Sequence, residues 1–274
     1  MGDVYLHGHH ASVLASHGAR TAADSAAYLL PHLRPGLSVL DIGCGPGTIT
    51  LDLAEAVAPG VVVGLENVEG PLVEARRHAA ARGDERTRFE LADVAALPHA
   101  DDTFDVTHAH QVLQHLTDPV GALQEMARVT RPGGVVAVRD VDYASMVWHP
   151  ASEGMTRWLD TYRRLARLNH AEPDAGRHLL AWAHAAGLAD VTPTASLWTY
   201  ATPEQSAWWG GVWARRVVDS TFAAQALERG LATRADLEAM RAAWLAWAAH
   251  PDAWFAMTHG ELVARVDAVG TPIG

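Results

Sequence analysis

Val39-Leu40-Asp41-Ile42-Gly43-Cys44-Gly45-Pro46-Gly47-Thr48-Ile49-Thr50 is the stretch from which the fold can be read. Val39 to Ile42 is a short apolar run of strand character, whereas TITLDLAEAV, Thr48 to Val57, carries apolar residues at helical spacing. Between them glycine recurs at 43, 45 and 47. Glycine allows a tight turn and a close approach of ligand to backbone, and the helix that follows turns its positive end toward that ligand. A glycine turn alone is a weak signal, because many turns match it by accident.

The neighbours strengthen it. Val61 to Leu65 is a second buried run, and Glu66 closes it about twenty residues beyond the turn, where a carboxylate can accept both hydroxyls of a ribose. A helix is expected over about 70–82. Further strands are expected over 88–92, 104–108 and 135–140, with a helix over 119–129 before the last. Strands that alternate with helices imply right-handed crossovers and an α/β, doubly wound, mainly parallel sheet. Ligands of such sheets sit at the carboxyl ends of the strands, which singles out Asp93 and the amide of Val94 as partners for an adenine edge.

Five segments, VLDIGCGPGTIT (39–50), GLENVEGPLVEAR (64–76), FELADVAALPHADDTFDV (89–106), HAHQVLQHLTDP (108–119) and RVTRPGGVVAVRD (128–140), resemble class I S-adenosylmethionine-dependent methyltransferases in order and spacing. The resemblance is to the broad ubiquinone/menaquinone C-methyltransferase-like group and covers residues 20–145. It implies a Rossmann-like sheet of seven strands, S-adenosylmethionine as cofactor and S-adenosylhomocysteine as product. Carried over position by position, it assigns cofactor contacts to Asp41, Gly43, Gly45, Gly47, Thr48, Glu66, Asn67, Asp93, Val94, His110 and Gln111. An N-terminal helical flap is expected to add Tyr5 or His10 near the methionine end and Arg20 near its carboxylate. The family commonly has aspartate where Glu66 stands, a change that keeps the carboxylate.

The segments 5–33 and 196–216 are similar to an actinobacterial and fungal subgroup of secondary-metabolite methyltransferases, among them enzymes that methylate thiols of reduced dithiol toxins. The implied acceptor is a small molecule methylated at a thiol, hydroxyl or amine. Quinone C-methylation is the alternative within the family. A non-catalytic S-adenosylmethionine-binding protein and a nicotinamide-dependent oxidoreductase are the alternatives outside it. The oxidoreductase would share the sheet and Glu66, but its turn usually lacks an acid at the place of Asp41.

Composition narrows the partners. The chain has 274 residues and a formal net charge of -11, which argues against the basic footprint that nucleic acid requires. No charge-free stretch reaches the ~18 residues of a membrane span. Met1-Gly2-Asp3-Val4-Tyr5 lacks the basic and apolar regions of a signal peptide, and Cys44, the single cysteine, agrees with a reducing cytoplasm. Monomer and homodimer are both open.

All ten tryptophans lie at or after Trp148. That step divides the chain into a cofactor-binding part with its flap, 1–147, and a tryptophan-rich part, 148–274. In the second part helices are expected over 153–167, 175–186, 204–228 and 234–248. Extended runs over 188–199 and 254–266 would form an antiparallel pair at the sheet edge, with the helices between them folded over the pocket as a lid.

His110, His115 and Tyr143 are the candidates for acceptor contact or catalysis. His110 follows the fourth strand at the place whose backbone lies against the cofactor in the family, and neutral histidine suits a general base near pH 7. His115 can equally be a packing residue. Asp140, Asp142 and Tyr143 follow the fifth strand, where a solvated loop is the plainer reading. Cys44 is read as small and packed, since transfer from a sulfonium needs no enzyme nucleophile. His7, His9 and His10 lack companions at metal-ligand spacing, so no metal is expected. Trp208, Trp209 and Trp213 are either helix core or an aromatic roof, and the 208/209 doublet cannot place both rings on one helix face.

Overall fold

A computed structural model describes residues 20–267 of the chain. The strands are β1 (Val39–Ile42), β2 (Val62–Glu66), β3 (Arg88–Leu91), β4 (Phe104–His110), β5 (Thr130–Val141), β6 (Val147–His149), β7 (Asp190–Tyr200) and β8 (Trp254–Arg265). They form one sheet in the order β3-β2-β1-β4-β5-β8-β6, with β7 on the other side of β8. β1 to β5 run parallel, and β8 is antiparallel to β5, β6 and β7. The helices are α1 (Ala22–Ser25), α2 (Thr48–Ala56), α3 (Glu69–Arg82), α4 (Pro119–Val129), α5 (Glu153–Leu168), α6 (Leu179–Ala185), α7 (Pro203–Asp219), α8 (Thr221–Glu228) and α9 (Arg234–Ala248).

The central strands are apolar on both sides because both faces are covered. On β5, Val136 and Val138 enter a core with Leu40, Ile42, Leu65, Leu123 and Met126, while Val135 and Ala137 enter the opposite core with Val39, Val62, Ile49 and Leu53. This alternation is the period of two that a strand imposes.

Two expectations need correction. The sheet has eight strands, not seven: β5 pairs with β8 only as far as Val141↔His259, and β6 takes up the backbone of residues 254–256 beyond that point. Hydrogen-bonding groups there would otherwise lack partners. The single helix expected over 204–228 is two, because Ser220 lies in extended conformation (φ -104°, ψ 176°) and its side chain accepts from the Phe222 amide as the cap of α8.

The late antiparallel pair is as expected, in register from Asp190↔Arg265 to Tyr200↔Phe255. The helices inserted between its strands pack with α5 and β8 around a third core: Trp158 and Tyr162 come from α5, Trp213 from α7, Trp244 and Trp247 from α9, and Phe255 from β8. Trp158 meets Trp213 and Trp244 with ring centroids 4.4 and 4.9 Å apart. Most of these tryptophans therefore pack as core. No helix among the described residues is long and apolar enough to cross a membrane.

Candidate functional site

The carboxyl ends of β1, β2, β4 and β5 reach the same edge of the sheet, as parallel strands must, and a cavity of about 1270 Å³, its open mouth included, lies there. One end is lined by Gly43, Gly45, Glu66, Asn67, Asp93 and Val94, the other by Tyr143, Met146, Trp209, Trp213, Arg216 and Met257. His110, Gln111, His115, Arg20 and Trp198 also line it.

At the first end the turn after β1 is left-handed at Gly43, Gly45 and Gly47, with φ of 66°, 55° and 77°. The three glycines serve different purposes. A Cβ on Gly43 would fall 2.4 Å from the Val112 side chain, and one on Gly47 2.9 Å from Ala75. One on Gly45 would meet nothing within 4 Å, because Gly45 faces the cavity. The Gly45 amide donates to Glu66 Oε1 (2.9 Å) and the Asn67 amide to Oε2 (3.2 Å). Burial raises the Glu66 carboxyl above its ordinary range against those two hydrogen bonds. Asp93 accepts from the Ala95 amide at 2.9 Å and lines the cavity beside buried Val94.

Asp41 does not line this cavity. The β1–β4 register sets it opposite His108, whose Nδ1 donates to Asp41 Oδ1 at 2.7 Å, and Thr50 Oγ1 donates to Oδ2 at 2.5 Å. Asp41 and Thr48 border a small neighbouring cleft together with Arg20, Gly43, Gly45 and His110. Gly47 lines neither space; it lets α2 and α3 approach each other. Burial, then the charges of Asp41 and Glu66, pushes the Cys44 thiol up, which agrees with the packed reading of that residue.

The middle of the cavity is organised around His110 and Gln111. His110 is buried with neither ring nitrogen hydrogen-bonded among the described residues. Burial first, then the positive charges of Arg139 and Arg20, holds its pKa well below 6.5, so the ring is neutral. Gln111 takes the left-handed conformation (φ 56°), rare for a residue with a side chain. It accepts from Arg20 Nη2 at 3.1 Å, and its amide nitrogen donates to His259 Nε2 at 3.0 Å. The guanidinium carbons of Arg20 and Arg139 lie 5.3 and 4.9 Å from the Trp198 ring centroid.

His115 lines the cavity and accepts from Gln114 Nε2 at 3.1 Å. Tyr143 lines it too, stacked on Tyr162 with centroids 4.3 Å apart, and burial pushes its hydroxyl up to about 12. Asp142 is held by Arg177 (2.5 and 2.7 Å) and Asp140 is fully buried, so neither lines the cavity. Trp209 and Trp213 face the cavity, and Trp208 points outward with 39% of its surface exposed. Tyr5 and the expected flap, with His7, His9 and His10, lie outside the described residues.

Met146, Trp198, Arg216, Met257 and His259 were not singled out by the sequence reading. Trp198 and Met257 are cross-strand partners on β7 and β8, a juxtaposition that no local pattern announces. Trp213, one helical turn before Arg216, gave the only signal toward that residue.

The methyltransferase-domain family model matches residues 33–196. An uncharacterised methyltransferase of Schizosaccharomyces pombe is 33% identical over 272 residues, 95% of this chain and 96% of that protein. The chain belongs to the methyltransferase-domain family. It is an S-adenosylmethionine-dependent enzyme of class I fold. The ubiquinone/menaquinone biosynthesis C-methyltransferase UbiE of Bdellovibrio bacteriovorus is 42% identical over 105 residues, 38% of this chain and 44% of that protein. In fold, the chain is similar to phosphoethanolamine N-methyltransferase 2 of Haemonchus contortus, solved with phosphomonomethylethanolamine and S-adenosylhomocysteine. The TM-score is 0.53 with 17% identity, over 86% of this chain and 50% of that one. The residues present fit the cofactor: the Gly45 backbone faces open space that a Cβ would enter, with a carboxylate at Glu66 beside it.

Proposed function

We propose that the enzyme methylates a small, flat, largely apolar molecule at a heteroatom. The observation that supports this reading most is the unlike lining of the two ends of one cavity: glycines and carboxylates at one, Trp209, Trp213, Tyr143, Met146 and Met257 at the other. Gly43, Gly45, Glu66, Asn67, Asp93, Val94 and Gln111 would hold S-adenosylmethionine, which when bound supplies a methyl group on a positive sulfonium. Glu66 receives the ribose hydroxyls, Asp93 and the Val94 amide address the adenine, and Arg20 meets the methionine carboxylate. The Asp41–His108–Thr50 cluster supports the glycine turn from behind. Residues from 148 onward contribute the aromatic roof, which excludes water and aligns the acceptor; alignment is the larger part of catalysis for a group transfer of this kind. His110 stands at the junction as an orienting group.

A screen over thiols, phenols, amines and quinols, read by S-adenosylhomocysteine formation, tests the reading. Turnover of a thiol, phenol or amine is expected, and methylation confined to a quinol ring carbon would replace it.

Glu66→Ala should weaken S-adenosylhomocysteine affinity by about 1.5–3 kcal/mol in calorimetry, the scale for hydrogen bonds to a charged group. Unchanged affinity in a folded variant would remove Glu66 from the ribose. His110→Ala should lower the single-turnover rate about tenfold and equally at pH 6 and pH 8. A ring held neutral by burial and then by cationic neighbours is a weak base, short of the ~10²–10⁴-fold of a strong one. A loss above that, growing toward low pH, would make it the base.

A further inference from the structure

The acceptor end of the cavity has a sign. Arg216 lies on α7 with 5% of its surface exposed, its guanidinium carbon 5.2 Å from the Trp213 ring centroid, and it lines the cavity beside Tyr143, Trp209 and Met257. Arg20 lines the same space from the side of β4 and β7. The carboxylates among the described lining residues are Glu66 and Asp93, both at the opposite end.

The charges acting on the groups of this end agree. Tyr143 feels Arg216 and Arg20, and His110 and His259 feel Arg139 and Arg20; in each case burial is the larger influence and the neighbouring charges are positive. Arg139 is itself engaged by Glu261 at 3.1 Å and by Ser196, below Trp198. His115, the remaining titratable residue of the lining, is bonded to Gln114. A bound sulfonium adds one more positive charge to a buried space, where Coulomb interactions are strong.

We infer that the acceptor end selects a negatively charged aromatic molecule, with Arg216 as the specificity-determining residue. The inference rests on the methyltransferase reading above. Where the charge sits on the nucleophile, the acceptor's electron pair forms the new bond to the methyl carbon. The carbon–sulfur bond breaks in the same step with its pair left on sulfur, and no proton has to be removed. That agrees with a junction histidine that is a poor base. Where the charge sits on a remote carboxylate, Arg216 anchors it by a bidentate pair and the aromatic walls hold the ring.

Three probes of similar shape separate these outcomes on the full-length protein saturated with S-adenosylhomocysteine: nitrobenzene, 4-nitrophenol and 4-nitrobenzoate. At least one anion is expected to bind more than about tenfold tighter than nitrobenzene in calorimetry, a difference of one unit in log Kd. Affinity for 4-nitrophenol that rises with its ionisation, seen as retention of the phenolate absorbance on the protein at lower pH than in buffer, places the charge on the nucleophile. Tight 4-nitrobenzoate binding with no such rise places it on a remote group. Arg216→Met should bring the anions within about threefold of nitrobenzene, and Arg216→Lys should restore part of the preference. Equal binding of all three probes, binding of none, or a preference that survives Arg216→Met in a protein that still binds S-adenosylhomocysteine would overturn the inference. Failure to bind S-adenosylhomocysteine at all would instead overturn the cofactor assignment.

Discussion

Gly45→Val is expected to weaken S-adenosylhomocysteine binding by more than about 100-fold while the apo protein still folds, because two consequences of the side chain differ in size. In the apo protein the new Cβ meets nothing within 4 Å, so the structural penalty is that of a β-branched residue at φ 55°, about 1–2 kcal/mol. The Gly45 amide keeps its place against Glu66. In the complex, the valine methyls occupy the space through which the ligand approaches the backbone, and a hundredfold loss corresponds to about 2.7 kcal/mol. Calorimetry of the variant beside a chemical denaturation curve separates the two. Gly43 offers a control: its Cβ would strike Val112, so Gly43→Val should lose stability first. Near-normal binding by Gly45→Val would mean that the ligand lies elsewhere in the cavity.

The second large effect concerns pH and Asp140. Burial pushes its carboxyl up to about 8, from an ordinary value of 3.8. Its Oδ1 accepts from the Gln114 amide at 3.2 Å, at the turn that follows His110, and Oδ2 has no partner among the described residues. The folded protein thus keeps a proton on Asp140 over a range in which the unfolded chain has lost it, and stability falls as pH rises through that range. His110 and His259 have the opposite sign. Each is held neutral in the fold, so their contribution rises with pH through 6.5 and is complete about one unit above it. Asp140→Asn keeps an acceptor for the Gln114 amide and cannot ionise, so subtracting its curve from that of the wild type leaves the Asp140 slope alone. At about 1.4 kcal/mol per pH unit, the wild type should lose about 2 kcal/mol of unfolding free energy relative to Asp140→Asn between pH 6.5 and 8. A difference curve without slope would assign the proton elsewhere.

The chain from Val39 to Asp140 announced its own architecture. Apolar runs of four to seven residues separated by helical patterns point to a parallel sheet covered on both faces, since central strands that are apolar on both surfaces must be buried on both and the intervening helices supply the cover. Local geometry also set the glycine turn, because three left-handed positions in five residues demand glycine. Glu66, Asp93 and His110 could be named for the same reason: each closes a strand, and parallel strands end together. The antiparallel pair of β7 and β8 followed from two extended runs separated by helical patterns; the further pairing of β8 with β5 and β6 did not.

Other features were decided only by the tertiary structure. Asp41 looks like a ligand residue in the turn, yet the register of β1 against β4 places His108 beside it and turns its carboxylate inward. Trp208 and Trp209 are equivalent in composition, and only the packing of α7 on α9 and β7 sends one outward and the other into the cavity. The break at Ser220 and the three residues of β6 depend on which backbone groups remain to be satisfied once longer elements have docked. The acceptor end is drawn from β5, the turn after it, β7, α7 and β8, segments separated by up to about a hundred residues. A side chain such as Arg216 acquires its meaning there from the charges and rings that other segments bring beside it. Sequence spacing records how far apart residues lie along one chain, and a binding site depends on which segments the sheet and its lid bring together.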